Sequence, residues 1–187
     1  MPIVIEDGTG LSAALSYQSA ADVSVYLTAR GLGTTWTTLS VAEQDIACVL
    51  ATDYLDNRER FQYRGARTID TQALQWPRIG AIDDDRMPLQ GVPVLIRRAH
   101  AELCGVLASR AGASGLTPQV LQPALARGGQ IVSQSGAGFS QTFASNAPTE
   151  TTYVALVGLL KTLLTNTSNA VLPYMTFVDD AHAFLPD

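Results

Sequence analysis

"SVAEQDIACVLATDYLDN", Ser40 to Asn57, is the stretch on which the fold class turns. Ser40 stands three residues before Glu43, the spacing at which a hydroxyl and a carboxylate cap each other's backbone N–H groups at a helix start. Ile46, Val49, Leu50 and Tyr54 then recur at intervals of three and four, which suits one face of a helix and not the alternation of a strand. The spacing predicts a helix from Val41 to about Asn57.

Working outward, the same signals recur on both sides. Upstream, "SAADVSVYLTARG" predicts a short helix capped by Ser19, with Asp22 near its positive end. Val23, Tyr26 and Leu27 share one face, and Gly31 stops it. "GLGTTWTTLS" between the two helices reads as a linker anchored by Trp36 and Leu39, and "IVIEDGTG" as an extended segment ending in a Gly turn. Downstream, Arg58 to Gly91 is rich in turn residues. Pro93 then opens a third helix, about Pro93 to Ser109, with Ile96, Ala99, Leu103, Val106 and Leu107 as its stripe. Small Ala99 and Gly105 permit a close helix neighbour.

Beyond Gly112 the composition changes to Gly, Ser, Gln and Ala with almost no charge. "GGQIVSQSGAGFSQTFAS" alternates in part and predicts two extended segments about a turn at Gly136 to Gly138. Ile131, Val132, Phe139 and Phe143 are its large apolar residues, too few for a separate core. They mark it as an arm that lies on a partner. "ETTYVALVGLLKTLLT" predicts a fourth helix, apolar on nearly every side and in need of cover around most of its circumference. The tail after it, broken by Pro173 and Pro186, reads as a docking segment. The expected architecture is mainly α: a small helical bundle over 1–111, an extended and partly β C-terminal arm over 112–148, and a C-terminal helix with its tail over 149–187.

Bulk composition bounds the function. The 187 residues carry a net charge of −5 and a pI near 4.9, which disfavours a broad phosphate-binding face. The N-terminus lacks the pattern of a signal peptide, and the longest apolar run, Tyr153 to Leu160, is too short to span a bilayer; a cytosolic, reducing setting is expected. Cys48 and Cys104 read as buried free thiols. With only His100 and His182 beside them, no metal site and no cofactor are expected. Asp83 to Asp85 reads as a solvated turn, not a cation site. His100, Arg98 and Glu102 do not converge, because neighbours two apart on a helix face away from each other. No nucleophile or phosphate-loop motif points to an enzyme.

The remaining candidate is "RFQYRGARTIDTQALQWPR", Arg60 to Arg78. On one reading Tyr63 and Trp76 stack on the bases of a single strand while Arg64 and Arg78, with their neighbours Arg58, Arg60 and Arg67, meet phosphates. On the other, Trp76 and Pro77 pack beneath the connection between the second and third helices. The arginines then pair with Asp53, Asp56, Glu59 and Asp70, and Arg64, Arg67, Gln72, Trp76, Pro77 and Arg78 form a structural or subunit-contact motif.

"EDGTGLSAALSYQSAADVSVYLTARG", "ATDYLDNRERFQYRGARTIDTQALQWPR" and above all "QALQWPR" resemble a family of tailed-phage proteins encoded beside the portal and capsid genes. They are head–tail connectors or adaptors, and the family is often labelled DnaT-like single-stranded-DNA-binding. The resemblance covers roughly residues 4 to 110; "FQYRGAR" departs from it, where a tryptophan is expected near Tyr63. It implies a helical adaptor in the virion neck, assembled as a ring, a dodecamer, beneath the portal protein. The arm would reach the portal or a neighbouring subunit, tail or nozzle proteins would bind below, and DNA would meet the ring only in transit. The alternative it carries is a single-stranded-DNA-binding replication accessory, with Tyr63, Arg64, Trp76 and Arg78 as its contacts.

Overall fold

The computed structural model describes residues 3–58, 61–111, 131–135, 140–143 and 154–165. Its described part is mainly helical: α1 (Ala20–Ala29), α2 (Gly33–Thr37), α3 (Val41–Leu55), α4 (Val94–Arg110) and α5 (Val154–Leu160), the last running into a 3-10 turn at Lys161–Leu163. Two small antiparallel pairs accompany them. β1 (Ala66–Arg67) pairs with β2 (Arg78–Ile79), and β3 (Ile131–Ser135) with β4 (Ser140–Phe143). No helix among the described residues is long and apolar enough to cross a membrane.

The caps do what their spacing implies. The Ser19 hydroxyl accepts from Asp22 N at the start of α1. At α3 the Ser40 hydroxyl accepts from Glu43 N, while the Glu43 carboxylate accepts from Ser40 N at 2.8 Å. The N-terminal Gly turn is tied by one side chain. Buried Glu6 accepts from the N–H groups of Gly8, Gly10 and Leu11, each at 2.9 Å. Both glycines have positive φ, which lets successive N–H groups converge on the carboxylate.

α4 is the central element, touching α1, α2, α3 and α5. Of its expected stripe, Ile96, Ala99, Leu103 and Leu107 are buried, and Val106 is half-buried. The stripe expected on α3 needs correction. Ile46 is exposed and Val49 and Leu50 are half-buried, whereas Ala47, Cys48, Ala51, Thr52, Tyr54 and Leu55 face the core. α3 meets α4 at small residues, with Cys104 Sγ 3.8 Å from Ala47 O and His100 Nε2 2.9 Å from Cys48 O, and Ala51 and Ala99 are buried as well. Close backbone approach recovers in dispersion contact what the larger side chains would have supplied by area. The linker expected over 31–40 contains a short helix, α2, while its expected anchors Trp36 and Leu39 are both buried.

α5 does not stand apart from this core. Leu156, Leu160, Leu163 and Leu164 are buried in the same cluster as the leucines of α4. The backbone locks the join: Arg64 N donates to Leu163 O at 2.9 Å and Thr165 N to Gln62 O at 2.8 Å. The tail beyond 165 lies outside the described residues, as do Phe139 and the expected turn at 136–138. The hairpin register is Ile131 opposite Phe143, then Ser133 opposite Thr142, an irregularity that falls at Val132.

Candidate functional site

The arginine–tryptophan segment folds inward. β1 and β2 bring Arg67 opposite Arg78, and the intervening loop closes on Gln72. That side chain is buried; its Nε2 donates to Leu74 O at 2.7 Å and Pro77 O at 3.0 Å, and its Oε1 accepts from Ile69 N at 3.0 Å. Three bonds to backbone groups satisfy the amide and fix the loop's path.

Trp76 has 0% exposure and Tyr63 4%. Their rings meet edge to face with centroids 5.7 Å apart, Tyr63 stacks on Phe61 at 6.1 Å, and Phe61 leans on Tyr54 of α3 at 5.9 Å. The Tyr63 hydroxyl donates to Leu55 O at 3.0 Å, at the end of α3. The Trp76–Pro77 peptide is cis. With these rings spent on one another, neither offers a face on which a base could stack.

Among the described residues, Arg64, Arg67 and Arg78 do not take up the acids expected of them, Arg58 acts on Asp56 as an opposing charge, and Glu59 and Arg60 lie outside the described residues. Arg78 donates to Arg64 O at 2.8 Å, Gly65 O at 2.6 Å, Gln75 O at 3.2 Å and Tyr63 O at 3.3 Å, with Gln75 Oε1 at 3.1 Å. Burial pulls its pKa below the ordinary arginine value. Arg67 donates to Gln72 O and Asp70 O at 2.9 and 2.8 Å, so it meets Asp70 through the backbone and not the carboxylate. Arg64 reaches Leu164 O at 3.1 Å and Ile82 O at 3.2 Å, and pairs with Asp84 at 2.9 Å. A planar fork suits several converging carbonyls better than one anion does, because each N–H points along its own direction. Of the sequence-marked residues, the structure thus unites Tyr63, Arg64, Arg67, Gln72, Trp76, Pro77 and Arg78 in one clasp.

Asp56, another acid expected to neutralise arginine, serves a different junction. It accepts from the Tyr17 hydroxyl and, at 2.9 Å, from Gln75 N, while Trp76 N donates to Tyr17 Oη at 3.3 Å. Burial raises the Asp56 pKa to about 6 despite these bonds. The acidic turn is a turn: Asp83 Oδ1 accepts from Met87 N at 2.8 Å. The 98–102 trio splits as expected, since Glu102 pairs with Arg30 at 2.8 Å while His100 points into the core.

One cluster escaped the sequence reading. Cys48 of α3 and His100 and Cys104 of α4 are all fully buried, and one donor atom from each lies within 4.8 Å of the others. The legible signal was His100 and Cys104 four apart on one helix face. Cys48 is 52 positions from His100, and only the α3–α4 contact brings it in.

A family model described as "Putative DnaT-like ssDNA binding protein" matches residues 1–175. No curated protein and no solved structure matches the chain.

Proposed function

We propose that this chain, which belongs to the DnaT-like single-stranded-DNA-binding family, is a virion structural protein: a head-to-tail adaptor of a tailed phage. In this reading copies of the helical bundle form a ring, a dodecamer, beneath the portal protein in the virion neck. The Gly/Ser/Gln-rich arm over 112–148, partly β, reaches the portal or the next subunit. Tail or nozzle proteins attach below, and DNA passes through the ring during genome ejection.

The observation that carries this reading is the inward clasp. Tyr63 and Trp76, the two rings suited to bases, are buried, and Arg78 is taken up by carbonyls. The segment most suggestive of nucleic acid therefore works as internal structure. Meanwhile Val25 and Val41 are each 73% exposed, and Met87, Val94 and Ile46 also stand out from the surface. Large apolar groups in water on a chain of net charge −5 suit protein neighbours better than a phosphate backbone. An acidic ring also lets DNA slide without adhering.

Electron microscopy of the protein mixed with portal rings tests the proposal. Full-length protein is expected to add a ring of density to the portal, and a variant with residues 113–148 replaced by a Gly/Ser linker is expected not to. Portal rings that stay bare with full-length protein refute the adaptor reading. The family's description supports a second reading, a single-stranded-DNA-binding replication accessory. It requires salt-sensitive binding of a labelled oligonucleotide, read by anisotropy at two ionic strengths. Absence of such binding at micromolar protein refutes it.

A further inference from the structure

The Cys48–His100–Cys104 cluster has a donor arrangement that thiol burial alone does not require. His100 Nε2 lies 2.9 Å from Cys48 O and 3.2 Å from Ser16 Oγ. A carbonyl oxygen only accepts, so Nε2 carries the proton and Nδ1 keeps its lone pair. The Ser16 hydroxyl donates to Gln18 O at 2.9 Å, so its oxygen meets Nε2 as an acceptor, as it also meets Gln18 N and Thr52 Oγ1. Nδ1 faces Cys104 Sγ at 3.9 Å, too long for a strong hydrogen bond. The Cys104 thiol in turn stands 3.8 Å from Ala47 O. Two thiols and an imidazole lone pair thus converge in a buried space, where the Cys104 thiol meets Nδ1, Ala47 O and Cys48.

We propose that Cys48 Sγ, Cys104 Sγ and His100 Nδ1 form a zinc-binding site that pins α3 to α4. Zinc–sulfur bonds of about 2.3 Å and zinc–nitrogen bonds of about 2.0 Å place tetrahedral donors about 3.5–3.8 Å apart. The observed triangle, with no edge above 4.8 Å, therefore closes by about 1 Å. The second shell is already in place. A ligating imidazole is held in one tautomer by donating its other N–H to a carbonyl or carboxylate, and Cys48 O accepts from Nε2 here. Charge selects the ion. Binding follows Zn²⁺ + 2 R–SH + imidazole → Zn(S–R)₂(imidazole) + 2 H⁺, which leaves a neutral centre in a core where a residual charge is costly. A monovalent copper ion on the same two thiolates leaves one negative charge.

Full-length protein, reduced with a phosphine under anaerobic conditions, is titrated with cobalt chloride and then zinc sulfate. One equivalent of Co²⁺ is expected to give thiolate-to-cobalt charge-transfer absorption that zinc bleaches. One equivalent of Zn²⁺ is expected to raise the melting temperature by several degrees and release two protons. A Cys48→Ala/Cys104→Ala variant, a small change of buried volume, is expected to fold and lose all three responses. His100→Gln is expected to weaken the metal at least tenfold while keeping the charge-transfer band. No charge-transfer band in the unmodified protein overturns the site. So does a band that survives in the double-alanine variant, or a His100→Gln variant of unchanged affinity.

Discussion

The Tyr17 hydroxyl donates to Asp56 Oδ1, joining the N-terminal segment to the C-terminal end of α3. Through Asp56 Oδ2 and Tyr17 Oη the same pair holds the N–H groups of Gln75 and Trp76, so three distant segments meet at one carboxyl. Tyr63 and Asp53 on α3 also face it electrostatically, and Arg58 is the opposing cation.

Asp56 makes stability depend on pH in an unusual direction. Its folded pKa is about 6 against an ordinary 3.8, so the folded state favours the protonated form. Its contribution is therefore complete below about pH 4 and is lost as pH rises through 6. Asp56→Asn removes this dependence. The stability difference between the two proteins, from urea denaturation at pH 4 and pH 7, is expected to move by about 2 kcal/mol in favour of the variant at the higher pH. The comparison also cancels His100, whose burial lowers its pKa to about 4 and whose contribution fades in the opposite direction, as pH falls.

Arg78→Lys is expected to cost about 1–3 kcal/mol in chemical denaturation. Four backbone carbonyls lose a fork of fixed N–H directions, and an ammonium meets one or two of them at best. A loss no larger than that of a surface arginine such as Arg86 would contradict the clasp.

Gly65 and Gly80 give a paired test. Both have positive φ, +74° and +68°. A Cβ at Gly65 would sit 2.4 Å from Ile79 O and 2.6 Å from Ala81 N, while one at Gly80 meets nothing within 4 Å. Gly80→Ala is expected to cost about 1 kcal/mol from the backbone conformation alone. Gly65→Ala is expected to cost several kcal/mol or to prevent folding, because β1 must move off the turn after β2.

Leu160→Ala on α5 is expected to cost about 2–5 kcal/mol in one cooperative transition, because Leu160 is fully buried in the cluster shared with α4. Near-zero cost would mean that α5 is covered elsewhere. The same burial bears on truncation, since removing everything after residue 111 strips Leu156, Leu160, Leu163 and Leu164 from that core.

Trp36 and Trp76 are both fully buried, so tryptophan emission is expected to be blue-shifted and weakly quenched by acrylamide. Adding single-stranded DNA is expected to leave it unchanged. A red shift or strong quenching on addition would show that Trp76 leaves the clasp to meet bases.

Residues close in the chain determined the helices. Ser19 with Asp22, Ser40 with Glu43 and the stripe through Ile96, Ala99, Leu103 and Leu107 act over three to eleven positions, so the string of letters contains both partners of each interaction. What the tertiary structure decided was the fate of polar groups whose partners are distant or anonymous. Every residue has a carbonyl, so no spacing marks Gly65 O or Leu164 O as a partner for arginine; only the loop's path aims them there. The inward turn of Trp76, the small-residue face of α3 and the gathering of Cys48 with His100 and Cys104 have the same origin. The Cys–His gathering needs α3 against α4 and the turn of Trp76 needs Tyr63 and Tyr17, contacts between distant segments that come from packing the core as a whole.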